Sequence, residues 1–340
     1  MTELVRVALV GAGGWGRQHA RVLAAHPGVD FVALCGRTEE RTTTRAAEFG
    51  VRPYTSVTRM LDHEAPDLVC VCLPNEEHYG PTLDVIRAGV PLFVEKPLVF
   101  DLAEGDRLIE EAEQRGLFFG VNFNHRYATP VQLAAEAVTS GSLGDLVFAT
   151  WRFGGEVGSS RHPYANLIET QCHGFDMLEH LCGPIESIMT QMTDGPHHNT
   201  AVAALTFASG AVGSLVGTYD SSYAYPGTHL LEINGTLGRV LVEDTVRRYT
   251  FSRAGSETSD VWQAGYFNDA ERDFHATFDR HFDAVLRAFR AGAEPPVPAA
   301  AGLRALRLAH AAIQSYETGV RVLTGTRRSE QSDHPDKRTT

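Results

Sequence analysis

The chain reads as an α/β unit over residues 1–122 followed by an α+β unit over 123–325, and two observations set that division. Up to about residue 120, short apolar runs alternate with stretches of helical composition, the rhythm of a parallel sheet covered by helices on both faces. Beyond Asn122, strand candidates follow one another with turn signals between them, as in a mainly antiparallel sheet.

Taken in order, strands are expected at 5–10, 31–35, 68–73, 92–94 and 117–121, with helices over 17–25, 39–49, 81–88 and 103–115. Gly28, Gly50, Gly89 and Gly116 supply the helix stops. The second unit should open with helix 130–139 and strand 146–153, then pass through a loop into helix 167–181. Strands are expected next at 185–192, 201–207, 211–219, 229–234 and 239–242, where Ser209-Gly210 and Asn234-Gly235 mark turns. Helices return at 274–291 and 299–318, and 326–340, which has no apolar periodicity, is expected to be a disordered tail.

With 340 residues, 43% of them hydrophobic, the chain can bury two sizeable cores. A formal net charge of −12 argues against nucleic acid, because phosphate binding needs a basic surface. No apolar run reaches the ~18 residues that span a bilayer, and no basic stretch followed by an apolar one opens the chain, so neither membrane insertion nor secretion is expected. The five cysteines sit mostly in apolar surroundings and read as reduced thiols of a cytoplasmic protein. Cys70 and Cys72 lie two apart in an expected strand, with nothing nearby to complete a metal-ligand set.

The first strand runs directly into Gly11-Ala-Gly13-Gly14-Trp15-Gly16, and a helix follows. Strand, G-x-G-x-x-G turn and helix in that order are the fingerprint of a Rossmann domain that binds a dinucleotide. Gly11 permits the tight turn, Gly13 lets backbone approach a pyrophosphate, and Gly16 allows close helix–strand packing, while free helix N–H groups face the anion. At the end of the second strand, where an acidic residue commonly holds a ribose 2′-hydroxyl, the chain has Gly36-Arg37-Thr38. Arg37 can pair with a 2′-phosphate and Thr38 can donate to it, which favours NADP(H) over NAD(H).

Glu95-Lys96-Pro97 stands where an apolar strand ends, at the edge of a doubly wound sheet where ligands bind. The only other lysine is Lys337, so a general need for surface charge does not explain Lys96; a compact ammonium donor does. The stretch from Gly11 to His19, Leu73-Pro74-Asn75 with His78, Glu95-Lys96-Pro97 and Ser315-Tyr-Glu-Thr-Gly319 together resemble the Gfo/Idh/MocA oxidoreductases, over essentially the whole chain to about Leu323. That resemblance implies a Rossmann domain plus an open-faced, mainly antiparallel sheet domain that pairs into dimers or tetramers. It places Leu73, Pro74, Asn75, His78, Glu95 and Lys96 at the cofactor, alongside Gly14 and Trp15, and puts Lys96 against both substrate and cofactor beside the nicotinamide. It also brings Asn122, His125 and Arg126 to the cleft border, where the chain crosses between domains, as weaker substrate candidates, His125 and Arg126 clamping hydroxyl or phosphate groups; as an alternative, these three stitch the hinge.

In the expected helix 167–181, Glu169, His173, Asp176 and His180 fall at i, i+4, i+7 and i+11, one stripe at about 100° per residue. Moving a hydride to or from a C–OH carbon requires a proton to move on the oxygen, and an imidazole suits that step. His173 is therefore the expected acid/base, Lys96 its partner at the reacting oxygen, and Glu169 an orienting group. The family pattern D-x-x-x-H-x-x-D is met at His173 and Asp176 and departs at Glu169, whose longer arm leaves the substrate open; Asp176 reads as a substrate contact or a structural residue. Arg161, His162 and Tyr164, just upstream, are weaker substrate candidates, and His197 and His198 read as an exposed turn. Glu169, His173 and His180 could also hold a metal, but none is expected. The leading reading is an oxidoreductase of a sugar, cyclitol or related polyhydroxylated substrate. A redox-assisted lyase or glycosidase that retains its cofactor, and a non-catalytic cofactor sensor, are the alternatives.

Overall fold

The computed structural model describes residues 3–155, 162–194 and 199–325. The N-terminal half contains β1 (Val5–Val10), α1 (Gly14–Ala25), β2 (Val29–Cys35), α2 (Glu39–Phe49), β3 (Arg52–Tyr54), α3 (Val57–Glu64), β4 (Leu68–Val71), α4 (Tyr79–Arg87), β5 (Leu92–Glu95), α5 (Leu102–Gln114) and β6 (Phe119–Asn122). Its six strands are parallel in the order β3-β2-β1-β4-β5-β6. The order reverses direction between β1 and β4, and this switch point opens a crevice at the strand ends that carry the glycine turn and Leu73-Pro74. β1, β4 and β5 read as near-continuous apolar runs because both faces of the sheet are covered. β3 and α3 escaped the sequence reading. β3 is a three-residue edge strand that tolerates Pro53, and α3 spans only eight residues, although Ser56, which accepts from Arg59 N at 3.4 Å, is an N-cap signal.

The second half contains α6 (Thr129–Thr139), β7 (Leu146–Gly154), α7 (Cys172–Cys182), β8 (Ile185–Met192), β9 (Thr200–Phe207), β10 (Val212–Thr218), β11 (Leu230–Gly235), β12 (Gly238–Glu243), β13 (Arg248–Arg253), β14 (Ser259–Gln263), α8 (Asp269–Arg272), α9 (Ala276–Arg290), α10 (Ala299–Thr318) and β15 (Val322–Leu323). Nine strands form one sheet in the order β14-β13-β12-β11-β7-β10-β9-β8-β15, with β7 and β10 parallel and the other neighbours antiparallel. Inward residues such as Ala149, Trp151, Phe153, Ala203, Leu205 and Leu215 are buried, whereas Phe148, Val202 and Val212 on the other face are exposed. The sheet is covered on one face and open on the other.

Helix α9 comes late in the chain yet packs on the first half. Its Phe278, Phe282, Val285 and Leu286 share a core with Val7, Leu9, Val22 and Leu34. Burying four such side chains is worth about 1.5–3 kcal/mol each, so the C-terminal half clasps the Rossmann sheet as well as building its own.

The expected continuous helix 167–181 requires correction. A π turn occupies Asn166–Thr170, and α7 starts only at Cys172. The Gln171 N–H donates to the Asn166 carbonyl at 2.9 Å, a five-residue closure. The buried Gln171 amide holds this turn: its Oε1 accepts from Trp151 Nε1 at 3.1 Å, and its Nε2 donates to Phe153 O at 3.2 Å and Asn166 Oδ1 at 3.0 Å. Within the expected stripe Glu169, His173 and Asp176 are buried, as are Cys172, Phe175 and Leu178 opposite, and His180 is exposed.

Candidate active site

The glycine turn has the shape its residues dictate. Gly11 has φ +141°, and a methyl group there would lie 1.9 Å from the Cys72 carbonyl oxygen; on Gly16 it would lie 2.2 Å from the Gly11 carbonyl oxygen. Gly13 has open space where a side chain would stand, so backbone at this point is free to meet a ligand. No acidic residue occupies the first turn of α1, and no side chain caps its start, leaving its N–H groups for an anion. Open backbone and uncapped helix end fit a dinucleotide pyrophosphate. Trp15 is half exposed and stacks on Phe278 of α9, with ring centroids 5.6 Å apart. Arg37, at the end of β2, is exposed and paired with Glu77; Thr38 is the N-cap residue of α2.

Leu73 and Pro74 follow β4 on the crevice side. His78 is buried, and its Nδ1 and Nε2 each lie 2.9 Å from a carbonyl oxygen, of Pro97 and Leu73 respectively. It therefore ties the turns that follow β4 and β5 rather than presenting a free nitrogen. Asn75 opens a short 3-10 turn, Asn75–Glu77, between them.

Glu95 ends β5, buried beneath the crevice floor. Its Oε1 lies 2.7 Å from His19 Nε2 and accepts from Asn122 Nδ2 at 2.6 Å, while Oε2 accepts from the Lys96 N–H at 3.1 Å. Burial alone would raise this carboxyl, but His19, Lys96 and Asn122 outweigh it and hold it below the usual carboxylate range. Asn122 is used at both ends, since its Oδ1 accepts from His281 Nδ1 at 2.8 Å. Among the described residues, His19, Cys72 and Glu95 form the one group whose donor atoms lie close enough together for a metal ion. Its carboxylate oxygen already serves His19 and Asn122.

Above this buried layer, the Lys96 ammonium crosses to the second domain and donates to the Glu169 backbone carbonyl at 3.1 Å, 73 residues away in sequence. The same carbonyl accepts from Cys172 Sγ at 3.2 Å. A π turn leaves carbonyls out of the regular ladder, which is why this oxygen is available. His173, one turn further along, is buried, and its Nδ1 is enclosed without a partner. Burial, followed by the charges of His125, Lys96 and His229, pushes its imidazole well below its ordinary range. The ring packs face to face on His125 at 3.9 Å and edge-on to Phe123 at 5.8 Å. Lys96, His173 and the Glu169 backbone are thus brought together.

Other candidates are engaged elsewhere. Arg126 Nε and Nη2 donate to the Asp176 carboxylate at 2.9 and 2.5 Å, a bidentate pair linking the crossover to α7. Burial pushes the Asp176 carboxyl up despite that pairing. Tyr164 donates its hydroxyl to Glu317 at 2.8 Å. Arg161, His197, His198, the expected tail and the Asn75 side chain lie outside what the structure describes.

Two residues that the sequence did not single out border the same space. The Tyr219 hydroxyl, just past β10, lies 2.6 Å from Thr170 Oγ1, next to Glu169. His229 stacks on Phe153 at 3.7 Å, and its Nε2 donates to the Gly154 carbonyl at 2.9 Å. Neither sits in a motif; only strand pairing around β7 brings them here.

Fold and crevice define a two-domain dinucleotide-dependent oxidoreductase class, and comparison with known proteins gives the family. Residues 5–123 match the NAD-binding Rossmann-fold model of an oxidoreductase family, and residues 135–324 match its C-terminal alpha/beta domain model. The chain belongs to the Gfo/Idh/MocA oxidoreductase family. It is 26% identical to the myo-inositol 2-dehydrogenase of Thermotoga maritima over 329 residues, 92% of this chain and 96% of that protein. It is 24% identical to the D-apiose dehydrogenase of Paraburkholderia graminis, over 92% of this chain and 88% of that one. Levoglucosan dehydrogenase in complex with NADH and levoglucosan shares the fold with a TM-score of 0.85 at 17% identity, covering 95% of this chain and all of that chain.

Proposed function

We propose that the protein is an NADP(H)-dependent oxidoreductase that interconverts a secondary hydroxyl and a carbonyl on a sugar or cyclitol. The observation that carries this reading is the Lys96 contact across the domain boundary to Glu169 O, beside a buried neutral imidazole at His173. Relatives named for myo-inositol and D-apiose support the substrate class. The pyrophosphate is assigned to the glycine turn, with Gly11, Gly13, Gly14 and Gly16, and the 2′-phosphate to Arg37 and Thr38. Leu73, Pro74, Asn75 and Trp15 line the remaining cofactor path, with His78 and Glu95 setting its floor. When bound, the nicotinamide exchanges a hydride with the substrate carbon. His173, neutral at physiological pH, takes the hydroxyl proton in oxidation and returns it in reduction. The Lys96 ammonium hydrogen-bonds the same oxygen and stabilises negative charge that develops on it. Glu169 orients substrate, and Tyr164, Asn122, Arg126 and Asp176 shape the site from behind through the contacts described above.

The exposed Phe148, Val202 and Val212 on the open sheet face mark this surface for self-association into a dimer or tetramer. Light scattering on the wild type and on Phe148→Glu checks this, with dissociation of the variant expected. No helix among the described residues is long and apolar enough to cross a membrane. For function, a polyol panel is screened with NADP⁺ and with NAD⁺, following absorbance of the reduced nicotinamide. Turnover of at least one sugar or cyclitol, faster with NADP⁺, is expected; turnover of substrate without net reduction would replace this reading with redox-assisted elimination.

A further inference from the structure

His281, on α9, is fully buried among aromatic rings. Tyr127 stacks on it at 4.3 Å and Phe93 meets it edge-on at 5.0 Å, so a phenylalanine would suit the position by shape. An imidazole carries a cost there. Its Nε2 is enclosed without a partner, and a buried polar atom left unsatisfied destabilises the fold. Whatever justifies the histidine lies at its other nitrogen.

That nitrogen begins a chain of buried hydrogen bonds whose donors and acceptors follow from one another. Glu95, held below the usual carboxylate range, can only accept, so Asn122 presents its Nδ2 to it, at 2.6 Å. The Asn122 Oδ1 is then left facing His281 Nδ1 at 2.8 Å and can only accept in its turn, which puts the proton of the ring on Nδ1. The ring is neutral, because burial, joined by the charge of Arg126, outweighs Glu95 and lowers His281 to about 3. At the far end, Glu95 Oε2 accepts from the backbone N–H of Lys96 at 3.1 Å, and it is the Lys96 ammonium that reaches Glu169 O. Two side chains thus connect α9 to the peptide that carries Lys96. Without the Nδ1–H, the Asn122 amide loses the contact that sets its plane, and the buried carboxylate loses a fixed donor.

We propose that His281 is a positioning residue for Lys96: its Nδ1–H sets the Asn122 amide, the amide anchors Glu95, and Glu95 fixes the backbone from which the Lys96 side chain reaches the reacting oxygen. The residue acts from 159 positions beyond Asn122 in the chain and takes no part in the chemistry itself. Its effect on turnover rests on the oxidoreductase reading above; its hold on the Lys96 peptide does not.

Because Lys96 and Lys337 are the only lysines, enzyme labelled with nitrogen-15 lysine gives two backbone amide signals in a magnetic resonance spectrum, and Lys337→Arg assigns them. The Lys96 amide proton, accepted by a carboxylate, is expected downfield and slow to exchange with solvent. His281→Phe keeps the stack and removes the donor. It should move that signal upfield, speed its exchange and lower kcat about 10- to 100-fold, the cost of a misplaced catalytic group, with cofactor affinity unchanged. His281→Asn, whose amide N–H stands where Nδ1 stood, should restore the signal and most of kcat. A role in packing alone would leave kcat of the folded variants indifferent to the donor, whatever their Tm. If His281→Phe fails to fold, His281→Leu takes its place. An ordinary, fast-exchanging Lys96 amide in the wild type, a signal unmoved by loss of the donor, or a moved signal with unchanged kcat would overturn the proposal. A signal that follows the donor in a protein that oxidises no polyol would refute the oxidoreductase reading and uphold the link from His281 to the Lys96 peptide.

Discussion

Removing Arg126 while leaving Asp176 in place tests whether this pair anchors the crossover to α7 or reads the substrate. The Asp176 side chain is 3% exposed and Arg126 17% exposed, with two parallel hydrogen bonds between them. Arg126→Met strands a carboxylate away from water, and breaking a buried pair in this way costs about 3–5 kcal/mol. Asp176→Asn keeps the shape and leaves the less buried partner alone; a guanidinium can turn its head toward solvent, so the loss should be about 1–3 kcal/mol. Replacing both, Arg126→Met with Asp176→Leu, should recover most of the stability, because two apolar groups leave no charge unpaired. Urea unfolding at pH 8 and pH 5 measures all three. Burial already pushes the Asp176 carboxyl up, so the stranded acid protonates in the folded state and the Arg126→Met penalty shrinks as pH falls. A penalty below about 1 kcal/mol combined with a tenfold or larger rise in KM would show the pair to be a substrate clamp, and the structural reasoning would be wrong.

Acidification should destabilise the fold early. His125 and His281 are both lowered to about 3 by burial, so the unfolded chain binds their protons first; the stability they hold is complete above the unfolded value of about 6.5 and is lost as pH falls below it. At pH 5.5 the two together should cost about 3 kcal/mol, seen as a lower unfolding midpoint; a flat midpoint between pH 7 and 5.5 contradicts their burial as neutral rings. Arg37 is held by Glu77, so Arg37→Ser should weaken NADPH binding about tenfold and leave NADH unchanged, whereas Glu77→Gln should tighten NADPH modestly; equal effects on both cofactors would remove the 2′-phosphate assignment. Gly16→Ala places a methyl 2.2 Å from the Gly11 carbonyl oxygen, so loss of dinucleotide binding with a reduced Tm is expected, checked by fluorescence titration and calorimetry.

The parallel sheet was legible because β1, β4 and β5 are apolar runs bounded by turn residues, and the glycine turn because the steric reasons for glycine hold at Gly11 and Gly16. Long periodic elements such as α10 were read to the residue, since twenty residues average out local noise. What failed was short or set by distant contacts. The π turn at Asn166–Thr170 has helical composition, and only Gln171, anchored on Trp151 and the Phe153 carbonyl, reveals the shift. The pairing of Arg126 with Asp176 joins residues 50 apart and leaves no local pattern. The stack of His125 on His173 depends likewise on how the crossover meets α7, and Tyr219 and His229 enter the site through strand order rather than motif.

Steady-state and single-turnover kinetics of Lys96→Met and His173→Asn test the catalytic centre most directly. With cofactor affinity measured alongside, each substitution should leave nicotinamide binding unchanged and lower kcat by roughly 10²–10⁴-fold on the polyol that the wild type oxidises. A kcat equal to wild type in either variant, with the protein folded and cofactor bound, would contradict the account.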